Sequence, residues 1–205
     1  MIIVTRKRLY YAKRCKKEIL NAAMKVIARE KISGTRMHMI AKETERSQAN
    51  LHYYFPTKND IMIALLDDIQ KQFSENRKKY IDLENKSVLE NIRGFFEQKE
   101  DDILNNKELD YVQLDYWVQG TVNEEIRKKF QKTFNIWRSG ISKVLDKGKF
   151  KDSVDNEYKD MLTYIMLSLM LGASLQYLID EGKFDLKKYF DVSEGLIEQC
   201  LKEEN

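Results

Sequence analysis

The chain has almost nothing that would interrupt a helix. Its 205 residues contain one proline, Pro56, and eight glycines. Long stretches rich in Lys, Glu, Leu and Ile lie between them, a composition that favours helices. No run of alternating β-branched residues sits between turn signals, which argues against strands. Cysteine is almost as scarce. Cys15 and Cys200 are far apart and match no metal-ligand spacing, so two ordinary thiols are expected in preference to a redox switch. Two lone thiols fit a reducing compartment, and a cytoplasmic location is expected. Histidine occurs twice, as His38 and His52. No nucleophile–base arrangement, Gly-rich phosphate loop or Cys/His metal set is visible, so no enzymatic activity, cofactor or metal is expected. His38 reads as a surface residue. The opening "MIIVTRKR" has too short an apolar run for a signal peptide, and its charges follow that run.

What is present is charge, unevenly placed. The composition is 42% hydrophobic and 34% charged, which is globular. Residues 1–60 hold 14 Lys/Arg against 5 Asp/Glu, a net +9, while residues 61–205 carry a net −6. A basic N-terminal third joined to an acidic remainder suggests a polyanion-binding module attached to a part with another task. Arg6, Lys7, Arg8, Lys13, Arg14, Lys16 and Lys17 crowd the start of the first helix. Cations there oppose the helix dipole, which makes an external anion the better explanation. One segment, Met161–Ile179, has 19 residues without a charge. It is long enough to span a bilayer. Thr163, Ser168, Ser174 and Gln176 interrupt it and no second span exists, so burial between protein surfaces is expected and a membrane is not.

Periodicity predicts an all-α chain of about nine helices. A first helix over 10–31 buries Ala12, Cys15, Ile19, Ala23, Val26 and Ile27 in one stripe. A second begins at Thr35 as N-cap and turns Met37, Ile40 and Ala41 inward. After a short "ERS" turn, Ser47 caps a third over Gln48–Tyr54, which makes a helix-turn-helix. Thr57 and Asp60 form a near capping box for a fourth helix running to about Leu83. Further helices are expected near 87–104, 108–120, 123–147, 155–181 and 186–203. The expected division is a helix-turn-helix domain over 1–57 and a larger helical ligand-binding and dimerisation domain over 58–205.

The stretch "SQANLHYYFPTKND" carries the functional reading. On a wheel at 100° per residue, Leu51 and Phe55 fall together as anchors. Gln48, Ala49, Asn50, His52 and Tyr53 then face outward. In a major groove, amides pair with adenine edges and small apolar groups meet thymine methyls. Ala49 has no bulk to hold the backbone off the bases. Tyrosine hydroxyls and Lys58 suit phosphates. An Arg46 stem can pack while its guanidinium reaches out, also to phosphate.

Residues 19–66 also resemble the TetR family of bacterial transcriptional regulators. The matching residues are "ILNAAMKVIA" in the first helix, "TRMHMIA" in the second and "SQANLHYYFPTK" across the third into the fourth. "LDYWVQGTVNEEIRKKF" with the following tryptophan is similar to the regulatory domain of the choline-responsive subgroup. The resemblance implies a homodimer whose recognition helices enter successive major grooves of a near-palindromic operator. It implies Gln48, Ala49, Asn50, His52 and Tyr53 at bases and Thr35, Ser47, Tyr54 and Lys58 at phosphates. It also implies a four-helix dimer interface made by the last two helices. Leu169, Gly172, Ala173 and Leu196 are the candidates there, and the small run Gly172, Ala173, Ser174 would let a second helix approach. The chain departs from the family at Lys31 and Glu45, where glycine is usual, at Arg46, where a small apolar residue is usual, and at His52, where tyrosine is commonest.

Family members commonly bind a small molecule in the second domain, so an effector of unknown identity is expected. Candidate pocket residues are Phe95, Phe96, Tyr111, Asp115, Trp117, Phe134, Trp137, Tyr164 and Met170, with Asp115 beside Trp117 suited to a cation. The expected function is a ligand-responsive transcriptional repressor released from DNA by that effector. Competing readings are a ligand-blind architectural DNA-binding protein, a membrane-associated interaction protein, and a helical enzyme carrying a DNA-binding module.

Overall fold

The computed structural model describes residues 2–202, with side chains from Lys7 onward. The side chain of Arg6 and residue 203 lie outside the described residues, and the last helix already ends at Glu198, short of the expected 203. Among the described residues there are nine helices: α1 Ile2–Gly34, α2 Met37–Glu43, α3 Gln48–Tyr54, α4 Lys58–Arg77, α5 Val88–Asn105, α6 Lys107–Gly120, α7 Glu124–Leu145, α8 Asn156–Asp180 and α9 Leu186–Glu198. An isolated antiparallel bridge joins Phe150 and Leu201. The chain forms two compact units, residues 1–71 with 112–126 and residues 72–111 with 127–205.

In the first unit α1 packs on α2 and α3. The expected α1 stripe is buried from Cys15 through Ile27, and Ile40, Ala41, Leu51 and Phe55 close over it. Two boundaries differ from expectation. α1 starts earlier and runs through Lys31, whose φ of 61° and ψ of 166° break the helical path. α2 is capped by Arg36, which makes no side-chain cap bond. The expected cap, Thr35, is fully buried. Its hydroxyl donates to the Lys31 carbonyl at 2.7 Å. An inward hydroxyl satisfied by the preceding turn cannot reach the next helix.

α4 opens with a reciprocal box, in which the Thr57 amide donates to Asp60 at 2.8 Å and the Asp60 amide to the Thr57 hydroxyl at 3.1 Å. It ends at Arg77, not near Leu83. The reason lies downstream. The Asn91 side chain gathers the connecting segment, accepting from the Asp82 amide and donating to the carbonyls of Asp82, Lys86 and Ser87. The Tyr80 carbonyl passes so close to Gly94 that a Cβ there would lie 2.5 Å away.

The second unit is built on α5, α8 and α9. Its core joins Ile92, Phe95, Phe96, Ile103, Ile141, Val144, Leu145, Leu162, Met166, Met170, Ala173, Phe190 and Ile197. α8 is the one helix among the described residues long and apolar enough to cross a membrane. One side of it enters this core through Leu162, Met166, Leu167, Met170 and Ala173. Its other side leaves Met161, Tyr164, Ile165, Leu175 and Ile179 exposed.

Candidate nucleic-acid interface

The site begins with a short helix that has two anchors. Ser47 holds the start of α3, its hydroxyl accepting from the Asn50 amide at 3.1 Å. Leu51 and Phe55 are buried, and the alternation of the wheel then leaves Gln48, Ala49, His52 and Tyr53 exposed. Tyr53 is 81% exposed. Its ring meets Tyr54 edge-on at 5.0 Å. The α3 face therefore offers an amide, a methyl, an imidazole and a phenol. The His52 Nδ1 lies 2.9 Å from the Pro56 carbonyl, which fixes the ring against the turn into α4.

Several phosphate candidates are occupied inside the unit. The Arg46 guanidinium donates to Glu18 at 2.6 Å, to the Asn50 carbonyl oxygen at 3.3 Å and to the Cys15 sulfur at 3.5 Å. It works as a strut between α1 and α3. The same bond from Arg46 holds Glu18 below the usual carboxylate range. Asn50 is consequently half-buried and partly committed. Lys58 donates to the Ile32 carbonyl at 2.5 Å. Burial, with Arg36 nearby, pulls its ammonium below the usual range, against the attraction of Asp115. Thr35 is buried, so its hydroxyl is turned away from any surface. Ser47 is exposed and Tyr54 is half-buried.

The α1 cations stay on the surface. Lys7, Arg8, Lys13 and Lys16 are exposed, and Lys16 lies over the Phe55 ring at 5.4 Å. Lys17 pairs with Asp68 at 2.8 Å and Arg14 with Glu18 at 3.1 Å. The two departures from glycine are both costly conformations. Among the described residues, Lys31 and Glu45 are the non-glycine residues with positive φ, at 61° and 53°.

The expected pocket residues do not gather in one unit. Asp115 and Trp117 belong to the first unit and the other seven to the second. Asp115 is no free ligand for a cation, because its carboxylate accepts from the Ile32 amide at 2.5 Å. Phe95, Phe96 and Met170 are core residues. Phe134 and Trp137 are half-buried neighbours at 5.9 Å. Tyr111 is half-buried. Tyr164 is half-exposed beneath the Arg138 guanidinium at 4.4 Å. Among the dimer candidates, Ala173 is fully buried in its own unit and cannot face a partner. Leu169 packs against the same core. Leu196 is exposed, and nothing lies within 4 Å of a Cβ built on Gly172.

Sequence reading missed a buried polar cluster in the second unit. Gln98 and Asp102 join at 2.7 Å, Asn76 donates to Asp102 at 2.8 Å, and Arg77 Nε donates to Gln98 at 2.9 Å. Lys99 pairs with Asp110, which also accepts from Ser174 at 3.2 Å. The available signal was positional. Asn91, Gln98 and Asp102 lie on the same stripe of α5 as Phe95, where apolar residues belong.

Residues 19–65 match the family described as bacterial regulatory proteins, tetR family. The chain is 32% identical over 72 residues to the HTH-type transcriptional repressor NicS of Pseudomonas putida, a stretch covering 35% of this chain and 34% of that relative's length. Its fold is similar to that of a TetR transcription regulator from Haloarcula marismortui, with a TM-score of 0.78, 20% identity and coverage of 91% of this chain and 98% of that one. It is also similar to a transcriptional regulator from Saccharomonospora viridis in complex with choline, with a TM-score of 0.77, 22% identity and coverage of 94% and 100%. The helix-turn-helix segment is thus matched in sequence by the tetR family of bacterial regulatory proteins, and the chain as a whole is similar to solved regulators of that kind in fold.

Proposed function

We propose that this protein is a ligand-responsive DNA-binding transcriptional repressor that acts as a homodimer on a near-palindromic operator and is released by a small-molecule effector. The observation that carries the reading is α3. It spends two residues on the core and leaves Gln48, Ala49, His52 and Tyr53 exposed on a segment of net charge +9. Gln48 reads a base edge, Asn50 is held back from that role by Arg46, and Tyr53 meets a base or its methyl group. Tyr54, Ser47 and the exposed α1 cations hold phosphates, which set register. Residues 1–57 serve as the DNA-binding domain and 58–205 as the regulatory one. The exposed apolar side of α8 and Leu196 on α9 supply the dimer face, and that use accounts for α8 without a membrane. Such a regulator works in the cytoplasm and needs no catalytic chemistry.

The effector biases the dimer between half-site spacings that do and do not fit DNA, and it can do so only by binding one arrangement more tightly. The test is titration of the protein against the DNA upstream of its own gene, over salt, with a scrambled duplex beside it. Selective protection of two half-sites about one or more helical turns apart is expected. Equal, steeply salt-dependent binding to both duplexes would replace this reading with an architectural one.

A further inference from the structure

A groove runs between the end of α4 and the outer face of α7 in the second unit. Its volume is about 860 Å³, within the range of small-molecule sites. Arg77, Lys78, Lys132 and Lys143 line it together with Ile81, Leu83 and Ile136, and no acid does, although Lys78 is paired with Glu75 at 2.9 Å just outside it. This chain has nearly as many acids as bases, 33 against 36, so a wall that keeps Arg77, Lys132 and Lys143 beside no lining carboxylate is a selective arrangement.

Arg77 is the centre of it. Its guanidinium lies 5.2 Å from the Trp137 ring and 5.9 Å from the Phe95 ring. Only Nε has a protein acceptor, Gln98 at 2.9 Å, and the two terminal nitrogens have none among the described residues. The nearby acid, Asp102, takes its hydrogen bonds from Asn76 and Gln98 and attracts the guanidinium only through space. Burial pulls the Arg77 pKa down to about 10, which leaves it charged at neutral pH. A half-buried guanidinium with free donors in a fixed orientation is the group that recognises carboxylate and phosphate.

The α7 wall is shaped to match. Lys132 and Lys143 are eleven positions apart, about 16 Å along the helix. Between them Ser139 and Gly140 keep the surface low, and a Cβ on Gly140 would meet nothing within 4 Å. Ile136 is 58% exposed there. A glycine inside a helix is unfavourable unless the missing side chain serves something.

We infer that this groove binds an amphipathic organic anion, with a carboxylate or phosphate head on the Arg77 and lysine cations and an aliphatic body along Ile81, Leu83 and Ile136. It rests on the ligand-responsive reading only for its regulatory meaning, since binding is measurable without DNA.

The experiment is calorimetric titration of the whole chain with decanoate, decyl phosphate and decyltrimethylammonium below their micellar concentrations. Both anions are expected to bind, and the ammonium at least tenfold more weakly. Lys132→Ala with Lys143→Ala should weaken the anions several-fold, Arg77→Met tenfold or more, and Gly140→Leu should abolish binding by filling the groove. Circular dichroism checks that each variant folds. Should Arg77→Met fail to fold, the two surface variants still decide the matter. Equal binding of anion and ammonium, or anion binding untouched by Gly140→Leu, overturns the inference. Operator affinity is read in parallel. Groove-dependent anion binding that leaves operator affinity unchanged keeps the site and sinks its regulatory role. An operator complex released by some other molecule, with no anion bound, does the reverse.

Discussion

Lys31 and Glu45 sit where backbone geometry asks for glycine, and the two are not equally strained. Lys31, at φ 61° and ψ 166°, occupies a region open essentially to glycine alone, where a side chain costs about 1–3 kcal/mol. Glu45, at φ 53°, is in the left-handed region, where the penalty is about 1–2 kcal/mol. Glycine also frees the unfolded chain, which takes back about 0.5–1 kcal/mol. Lys31→Gly is therefore expected to stabilise by about 1 kcal/mol in urea unfolding, and Glu45→Gly by less. On α3, Tyr53→Ala should weaken operator binding, while Gln48→Ala should lose about 1–3 kcal/mol of discrimination at one or two base positions. Competition between the operator and single-base variants measures it. A uniform loss across all sequences for Gln48→Ala would move that residue from base to phosphate.

At the scale of elements, the α4–α5 connection and the α5 polar stripe set the second unit. Gly94 lets the Tyr80 carbonyl approach, and a Cβ would lie 2.5 Å from it. Gly94→Ala should therefore destabilise, by about 1–3 kcal/mol of overpacking, despite alanine's higher helix propensity. A thermal melt decides the sign. Asp102 is 2% exposed. Burial pushes its carboxyl from 3.8 up to about 6, against hydrogen bonds from Asn76 and Gln98. The folded chain then holds a proton that the unfolded chain loses near pH 4. The neutral acid's contribution is full below that pH and disappears as pH rises through 6. Two pKa units correspond to about 3 kcal/mol. Asp102→Asn cannot ionise, so the stability of the wild type relative to this variant should fall by about that amount between pH 4 and 7. Parallel urea titrations at several pH values measure the difference, and a flat difference would mean that the carboxyl ionises freely in the fold.

For the whole molecule, the exposed apolar side of α8 is the surface that calls for a partner. Met161, Ile165, Leu175 and Ile179 are exposed on a helix whose other side is core, and Ile179 is 79% exposed. Apolar surface of that kind marks an interaction face. A second copy of the chain is the expected occupant, so Ile165→Glu should raise the dimer dissociation constant at least tenfold in sedimentation velocity. Operator affinity should fall with it, because each half-site then binds alone. A wild-type chain that stays monomeric, and whose operator binding ignores Ile165→Glu, would remove the dimer from the proposed mechanism.

Local pattern was enough for the existence of the helices and for most of the face of α3, though not for where α1 starts or α4 ends. A 3.6-residue stripe in α1 and the two anchors Leu51 and Phe55 are one-dimensional facts, and Ser47 caps within its own turn. The Thr57–Asp60 box is equally local. What needed tertiary structure was every partner distant in sequence. The Arg46 stem looked free to reach outward until Glu18, 28 residues earlier, took its guanidinium. Asp115 looked like a ligand for a cation until the Ile32 amide, 83 residues away, was found on it. Ala173 read as part of a smooth outer face and proved to be core. Periodicity reports which side of a helix is apolar, but a charged or small side chain takes its role from what packs against it, and only the folded chain supplies that neighbour.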